Sequence, residues 1–442
     1  MSTSSSYEWK MVWLLAILFG VVGLDRLVIV YLFPILIPEL GLNNTQAGAI
    51  ASILALTWAI STWVLGGASD RFGRKKVLIC SGVFFSVMAW MTGAVKSFTG
   101  MLVVRGLLGV GEGGVFSASV ATLAQISSPQ RRGMNLGIHQ AFFPLLGIGL
   151  GPIIATQMTN YMSWQWVFFI LGVPGLFLTL LLAKVMKEPK RAPVVDEGTH
   201  KGTASVLKFK NIWVCTLIGS LFQTGLFVFS TFVALYLTQV VKLSLAETGL
   251  IVSGWGFGGF IGMIVIPALS DRLGRKPVLV VCAAIYGALM LTFAMSHAGS
   301  LLMFSILFLA GVFGFGIAPL FLAIIPAESV PNHVTGAAVG VPTGVSEIIG
   351  GVAMPIVAGS LADHFGLIVP MMIVGIVSLP RCRARSSAQG NRTQQESSSD
   401  DDACRYRRRL KRESPNYPRR AFTLRNTITF RCDLLAALCH HE

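Results

Sequence analysis

Five ionisable residues stand inside long apolar stretches of this 442-residue chain: Asp25 and Arg26 side by side, Arg105 and Glu112 seven apart, and Glu347 alone. An ionised group in hydrocarbon is costly, so a charge in such a place marks a path for a proton, an ion or a charged ligand. Arg105 and Glu112 fall two turns apart on one helical face. A helix that starts near residue 11 reaches Asp25 and Arg26 after about 21 Å, near the middle of a bilayer. Two carboxylates and two guanidiniums at similar depth form a set suited to linking an anion to protons. Arginine fixes a carboxylate with its planar fork, and a buried Asp or Glu can bind and release a proton. The expectation is therefore proton coupling by Asp25 and Glu112, and anion binding by Arg26 and Arg105. The plainer alternative is that Asp25 neutralises Arg26 and Arg105 neutralises Glu112. Desolvating four charges for stability alone is poor design, which favours the working site. His139, Gln140, Gln223 and Glu347 are further candidate substrate contacts, the polar residues doubling as candidates for helix–helix hydrogen bonds.

Other chemistries find no support. Gly106 to Gly114 is glycine-rich but lies within an apolar run rather than after a strand, so it is no phosphate-binding loop. No Cys or His cluster has metal-ligand spacing. Cys80, Cys215 and Cys282 read as small packing residues. Neither a catalytic residue, a metal nor a cofactor is expected, and the chain is not read as an enzyme.

Composition states what must position these charges. Hydrophobic residues make up 53% of the chain and charged residues 12%, about half the charged share of a soluble protein. Mean hydropathy is +0.69. A bilayer is crossed by about 20 apolar helical residues. Such runs are expected at roughly 11–37, 46–66, 77–96, 99–126, 134–156, 164–186, 211–240, 246–268, 277–296, 300–326, 335–360 and 367–380. The last is short. The net charge of +15 raises the question of nucleic acid, and its placement answers it. Of the 21 Lys and Arg in residues 1–380, 17 fall at Lys10 or in even-numbered loops, while only Lys96 and Lys242 fall in odd-numbered ones. That bias places both ends of the bundle and the 187–210 linker in the cytoplasm, with membrane lipid and not nucleic acid as surroundings. The first apolar run is too long for a signal-peptide core and is expected to stay in the protein.

After residue 380 the composition changes: the 62 residues of 381–442 hold 13 Arg and one Lys. Two readings stand, a shifted reading frame that shortened the twelfth helix and a basic cytoplasmic tail facing anionic lipid. Either way this segment is expected to be a disordered basic tail.

Two charged turns complete the pattern. Gly66, Asp70, Arg71, Gly73, Arg74, Lys75 and Lys76 follow an apolar run, and Asp271, Arg272, Gly274, Arg275 and Lys276 return 201 residues later. A repeat that long points to a duplicated membrane bundle rather than a solenoid. The motif resembles the loop signature of the major facilitator superfamily, the two-times-six-helix secondary transporters. Asp25-Arg26, then Arg105-Gly-Leu-Leu-Gly109-Val-Gly-Glu112, then Arg131-Arg132-Gly133 resemble more narrowly the anion:cation symporters. The resemblance departs at Gly23-Leu24, where an Asn-Tyr often stands, and at Val115 and Phe116 after the helix-four glutamate.

This resemblance implies an all-α membrane protein with twelve transmembrane helices in two pseudo-symmetric six-helix bundles, residues 10–186 and 211–380. It further implies acidic residues at 25 and 112 in proton coupling and arginines at 26 and 105 at the anion site. The charged turns, with Glu328 nearby, are expected at a cytoplasmic gate. The expected function is proton-coupled symport of a small organic anion by a monomer in the cytoplasmic membrane. The alternatives are a proton-driven drug or metabolite exporter, to which Gly147-Ile-Gly-Leu-Gly151-Pro152 lends some resemblance, and a non-transporting remnant.

Overall fold

A computed structural model of the chain describes residues 5–188, 206–296, 299–331 and 334–378. The 187–210 linker is therefore seen only at its two ends, and the 381–442 tail lies outside the described residues. Among the described residues every regular element is helical: α1 Ser5–Leu40, α2 Asn44–Phe72, α3 Arg74–Ala94, α4 Phe98–Ile126, α5 Arg132–Met158, α6 Trp164–Val185, α7 Lys210–Val240, α8 Leu245–Leu273, α9 Arg275–Met295, α10 Ser300–Glu328, α11 Ala337–Phe365 and α12 Ile368–Ser378. The first eleven are long and apolar enough to cross a membrane, whereas α12, at 11 residues, is not. The chain is thus an all-α multi-span membrane protein.

The duplication seen in the sequence extends to how helices begin and end. The Asn43 side chain accepts the Gln46 amide while the Gln46 side chain accepts from the Asn43 amide, a reciprocal box that starts α2. Ser244 and Glu247 build the same box at the start of α8. α2 ends at Gly73 with φ 106° and ψ 135°, and α8 ends at Gly274 with φ 92° and ψ 146°. Only glycine adopts that backbone region at little cost, which is why each charged turn carries one.

Burial divides central helices from peripheral ones. The apolar window of α1 is 83% buried and that of α7 67%, against 39% for α9. Trp63, Trp166, Phe177 and Leu301 turn outward on peripheral faces. In a bilayer those side chains meet lipid at no hydrophobic cost. α1 packs on α7, α2 on α11, and α5 on α8, so that residues before 188 meet residues after 206 along three seams.

At the end of the molecule away from the charged turns, the seams are sealed. Asp363 of α11 accepts from the backbone amides of Asn44 and Thr45, each at 2.9 Å, and from the Asn44 and Thr45 side chains at 2.9 and 2.5 Å. Its carboxylate thereby satisfies orphan donors and faces the positive end of the α2 dipole. Nearby, the Gln157 side chain donates to the Ala246 carbonyl at 3.4 Å.

Among the described residues four helices are locally widened. α5 runs as a π-helix over Phe143–Leu150, α7 over Tyr236–Val240, α10 over Leu320–Ile324 and α11 over Glu347–Ala353. Such turns re-aim side chains and recur at functional sites. In α11 the widened stretch begins at Glu347.

Candidate anion and proton site

Arg26 is buried on α1, and its guanidinium is held on three sides. Nη2 lies 2.6 Å from Glu347 Oε1. The Trp58 ring of α2 sits 5.2 Å from the guanidinium carbon and the Phe227 ring of α7 sits 4.9 Å from it. Desolvated cation–π contacts of this kind are worth about 2 kcal/mol each. Gln223 of α7 donates to the second oxygen, Glu347 Oε2, at 2.6 Å. Four helices thus converge on one arginine. α11 comes close enough because Gly350 has no side chain: a Cβ there would stand 2.5 Å from that of Gln223.

Arg105 of α4 does not pair with Glu112. Its Nη1 donates to the Asp25 carbonyl oxygen at 3.1 Å and its Nη2 to the Arg26 carbonyl oxygen at 2.6 Å, while Nε finds no hydrogen-bond partner among the described residues. Asp25 and Glu112 are fully enclosed, and none of their four carboxylate oxygens has a hydrogen-bond partner among the described residues. Asp25 lies within electrostatic reach of both Glu112 and Arg105. The neutralising pairs weighed from sequence, Asp25 with Arg26 and Arg105 with Glu112, are therefore not what forms. Arg26 pairs across 321 residues with Glu347 instead. Buried polar atoms are nearly always satisfied, so two unpaired carboxyls within electrostatic reach of each other call for an explanation beyond stability.

Arg26 and Arg105 line the same small pocket, together with Leu27, Val30, Ala51, Phe227, Ser230 and Thr231. Two arginines make its wall cationic, Leu27, Val30, Ala51 and Phe227 add apolar surface, and Ser230 and Thr231 add hydroxyl-bearing side chains. An oxyanion carried on a short carbon skeleton matches that lining.

The remaining candidates fall elsewhere. His139 is fully buried on α5, stacked on Phe19 with ring centroids 4.6 Å apart and 6.4 Å from Phe116, and neither ring nitrogen has a hydrogen-bond partner among the described residues. Gln140 beside it is half-buried. Neither joins the Arg26–Glu347–Gln223 group, whereas Gln223 does.

The charged turns form mirrored clusters. Arg74 pairs with Asp70 at 3.1 Å and donates to Ala121 O and Gln125 Oε1 at the end of α4, each at 2.6 Å. Arg275 pairs with Asp271 and donates to Glu328 at the end of α10 at 3.0 Å. Each arginine thus ties its turn to a helix C-terminus, where a cation is favoured. Arg71 lies over the Phe72 ring at 5.6 Å, and Arg272 is exposed. Gly66 packs on Ser117 of α4, with space for a Cβ at 3.6 Å.

Several contributors carry no sequence signal strong enough to find them. Glu188 accepts from the amides of Arg74 and Lys75 at 2.7 and 3.1 Å, capping α3 from 113 residues away. Buried Glu8 accepts from Arg131 and Asn135 at 3.0 and 2.8 Å, fixing the start of α1 to that of α5. Trp58 and Phe227 looked like any other apolar residue of a span. Among the described residues no group of three His, Cys, Asp or Glu could hold a metal, and Cys80, Cys215 and Cys282 are free thiols.

Comparison with known proteins gives a consistent set of likenesses. The family model described as Major Facilitator Superfamily matches residues 15–348. The chain is 26% identical over 381 residues to a probable 4-methylmuconolactone transporter of Cupriavidus pinatubonensis, covering 80% of this chain and 86% of that one. It is 26% identical over 396 residues to a probable sulfoacetate transporter of Cupriavidus necator, covering 82% and 89%. Among solved structures it is similar to a bacterial homologue of the human lysosomal transporter Spinster in an inward-facing, unoccupied conformation. The TM-score is 0.68 at 17% identity, over 82% of this chain and 84% of that one, a likeness of fold alone.

Proposed function

This chain belongs to the Major Facilitator Superfamily and is a multi-span membrane transporter rather than an enzyme, and we propose that it carries a small organic anion together with protons across the cytoplasmic membrane. The observation that carries this reading is the pairing of a pocket lined by Arg26 and Arg105 with two enclosed, unpartnered carboxyls, Asp25 and Glu112. The cationic wall selects an anion, and the apolar lining accepts a short carbon skeleton. Carboxyls without partners are free to exchange a proton as the site turns from one side of the membrane to the other. Relatives named for sulfoacetate and for 4-methylmuconolactone agree with a substrate of this class.

In this mechanism Arg26 grips the substrate carboxylate or sulfonate, flanked by the Trp58 and Phe227 rings. Arg105 holds the α1 backbone at the same height and adds its charge. Asp25 and Glu112 load protons outside and release them inside. Residues 10–186 and 211–380 act as two six-helix bundles, joined by the 187–210 linker and rocking about this site. The turns at Asp70 and Asp271 guard the cytoplasmic mouth, and the distribution of Lys and Arg supports cytoplasmic termini. The carrier works as a monomer.

The test is uptake into proteoliposomes holding the purified chain, under an imposed pH gradient, across a panel of sulfoacetate, cis,cis-muconate, glucuronate and neutral glucose. Accumulation of one or more acids that collapses with the gradient is expected. Accumulation of glucose alone, or uptake of acids indifferent to the gradient, would overturn the proposal.

A further inference from the structure

The anion reading leaves one carboxylate without a task. Glu347 is neither one of the two unpaired carboxyls nor a surface charge; it is buried on α11 and occupies the Arg26 guanidinium. Resting on the reading of Arg26 as an anion site, we propose that Glu347 is a tethered stand-in for the substrate's own oxyanion. It fills Arg26 while the carrier is empty, and an incoming carboxylate or sulfonate must displace it.

Geometry supports this exchange. The Trp58 and Phe227 rings lie against the Arg26 guanidinium, 5.2 and 4.9 Å from its central carbon, and its N–H edge is where an oxyanion binds. Glu347 Oε1 already sits on that edge at 2.6 Å. Its other oxygen is held by Gln223 at 2.6 Å, so a displaced Glu347 keeps one partner and is not left bare in the interior. The residue is also placed to move. It is the first of the π-helical stretch Glu347–Ala353, which contains Gly350 and Gly351. A Cβ at Gly351 would crowd Glu347 Oε1 at 3.2 Å and the Phe227 ring at 3.0 Å, so the glycine keeps open the space around the carboxylate.

The exchange couples binding to movement. Arg26 and Glu347 belong to α1 and α11, which lie on opposite sides of the seams that join the first six helices to the rest. While they pair, the empty site is tied shut across its middle. Substrate replaces this tie with its own contacts, so a loaded carrier can change shape by a route that the empty one lacks. An oxyanion that cannot compete with Glu347 stays outside, which makes the glutamate a threshold for affinity as well as a lock.

The exchange makes an unusual demand on mutation: removing a side chain from the binding site must strengthen binding. If Arg26 is free in about a tenth of empty molecules, deleting its internal competitor tightens apparent affinity about tenfold. Binding of sulfoacetate, cis,cis-muconate and glucuronate to the full chain in detergent is measured by calorimetry for the parent, Glu347→Gln and the double variant Arg26→Gln/Glu347→Gln. The expected result is about tenfold tighter binding of at least one acid by Glu347→Gln, lost in the double variant. Equal or weaker binding by Glu347→Gln, with the parent still binding, overturns the stand-in and leaves the anion site intact. Silence of parent and Glu347→Gln alike overturns both readings, as does tightening that survives loss of Arg26. Should Glu347→Gln not yield a folded protein, Glu347→Asp shortens the tether by one methylene; it must tighten binding in the same direction, and a loss of affinity overturns the proposal.

Discussion

The guanidinium of Arg105 on α4 donates to the backbone carbonyl of Arg26 on α1 at 2.6 Å, so one arginine sets the height of the other. A helical carbonyl keeps a second lone pair after its intrahelical bond, and here a side chain takes it. Together with the 3.1 Å bond to the Asp25 carbonyl, this makes Arg105 a clamp on two consecutive residues of the site.

Arg105→Lys keeps the charge but offers one ammonium where a fork spans two carbonyls. Charge-assisted hydrogen bonds contribute about 1.5–3 kcal/mol, so transport efficiency should fall about tenfold or more. Arg26→Lys should do the same by losing the guanidinium that bonds Glu347 and lies against the Trp58 and Phe227 rings. Initial rates of acid uptake in proteoliposomes measure both, and parental rates in both variants would mark these arginines as structural.

Asp25→Asn and Glu112→Gln should abolish accumulation driven by a pH gradient. Exchange of labelled for unlabelled acid at equal pH on both sides should persist, since it needs no net proton movement. Full gradient-driven accumulation in both variants would remove these carboxyls from the coupling path.

Asp363→Ala unseals the end away from the charged turns by leaving the amides of Asn44 and Thr45 without their acceptor. Spin labels at exposed Tyr161 and Phe365, measured by pulsed electron resonance, should shift toward longer separations in the variant. An unchanged distance distribution would mean that packing alone holds this end.

Gly73→Ala and Gly274→Ala place a side chain where φ is 106° and 92°, at a strain of about 1–3 kcal/mol each. Gly73→Ala should be the more damaging, because its Cβ also meets the Glu188 carboxylate at 3.1 Å, while that of Gly274 meets only Pro277 at 3.6 Å. Thermal melting in detergent gives the order, and a lower melting point for Gly274→Ala would reverse the argument.

The fold was legible because lipid imposes a simple rule: apolar runs of fixed length become helices, and the repeated charged turns at Asp70 and Asp271 reveal the duplication. The five intramembrane charges were legible for the same reason, as each stands out in hydrocarbon. Their partners were not. Seven-residue spacing set Arg105 and Glu112 on one face of α4, but the guanidinium turns to α1. Adjacent Asp25 and Arg26 leave a helix in different directions, and Arg26 meets Glu347 from α11. Partners across helices depend on how helices pack, and packing leaves little trace in local spacing. Trp58, Phe227 and Asp363 were missed on the same ground.

The separation of 321 residues between Arg26 and Glu347 also sets a timetable for biogenesis. When α1 leaves the ribosome it carries Asp25 and Arg26 in its apolar core, which on insertion scales disfavours the membrane by about 2.5–3.5 kcal/mol for each charge. The ion-pair partner of Arg26 is made only with the second-last helix. At about 5–20 residues per second, the guanidinium waits roughly 15–60 s before Glu347 is synthesised. Through that interval α1 must be held by its own long apolar flanks, by α4 with its Arg105 clamp, or by the insertion machinery itself.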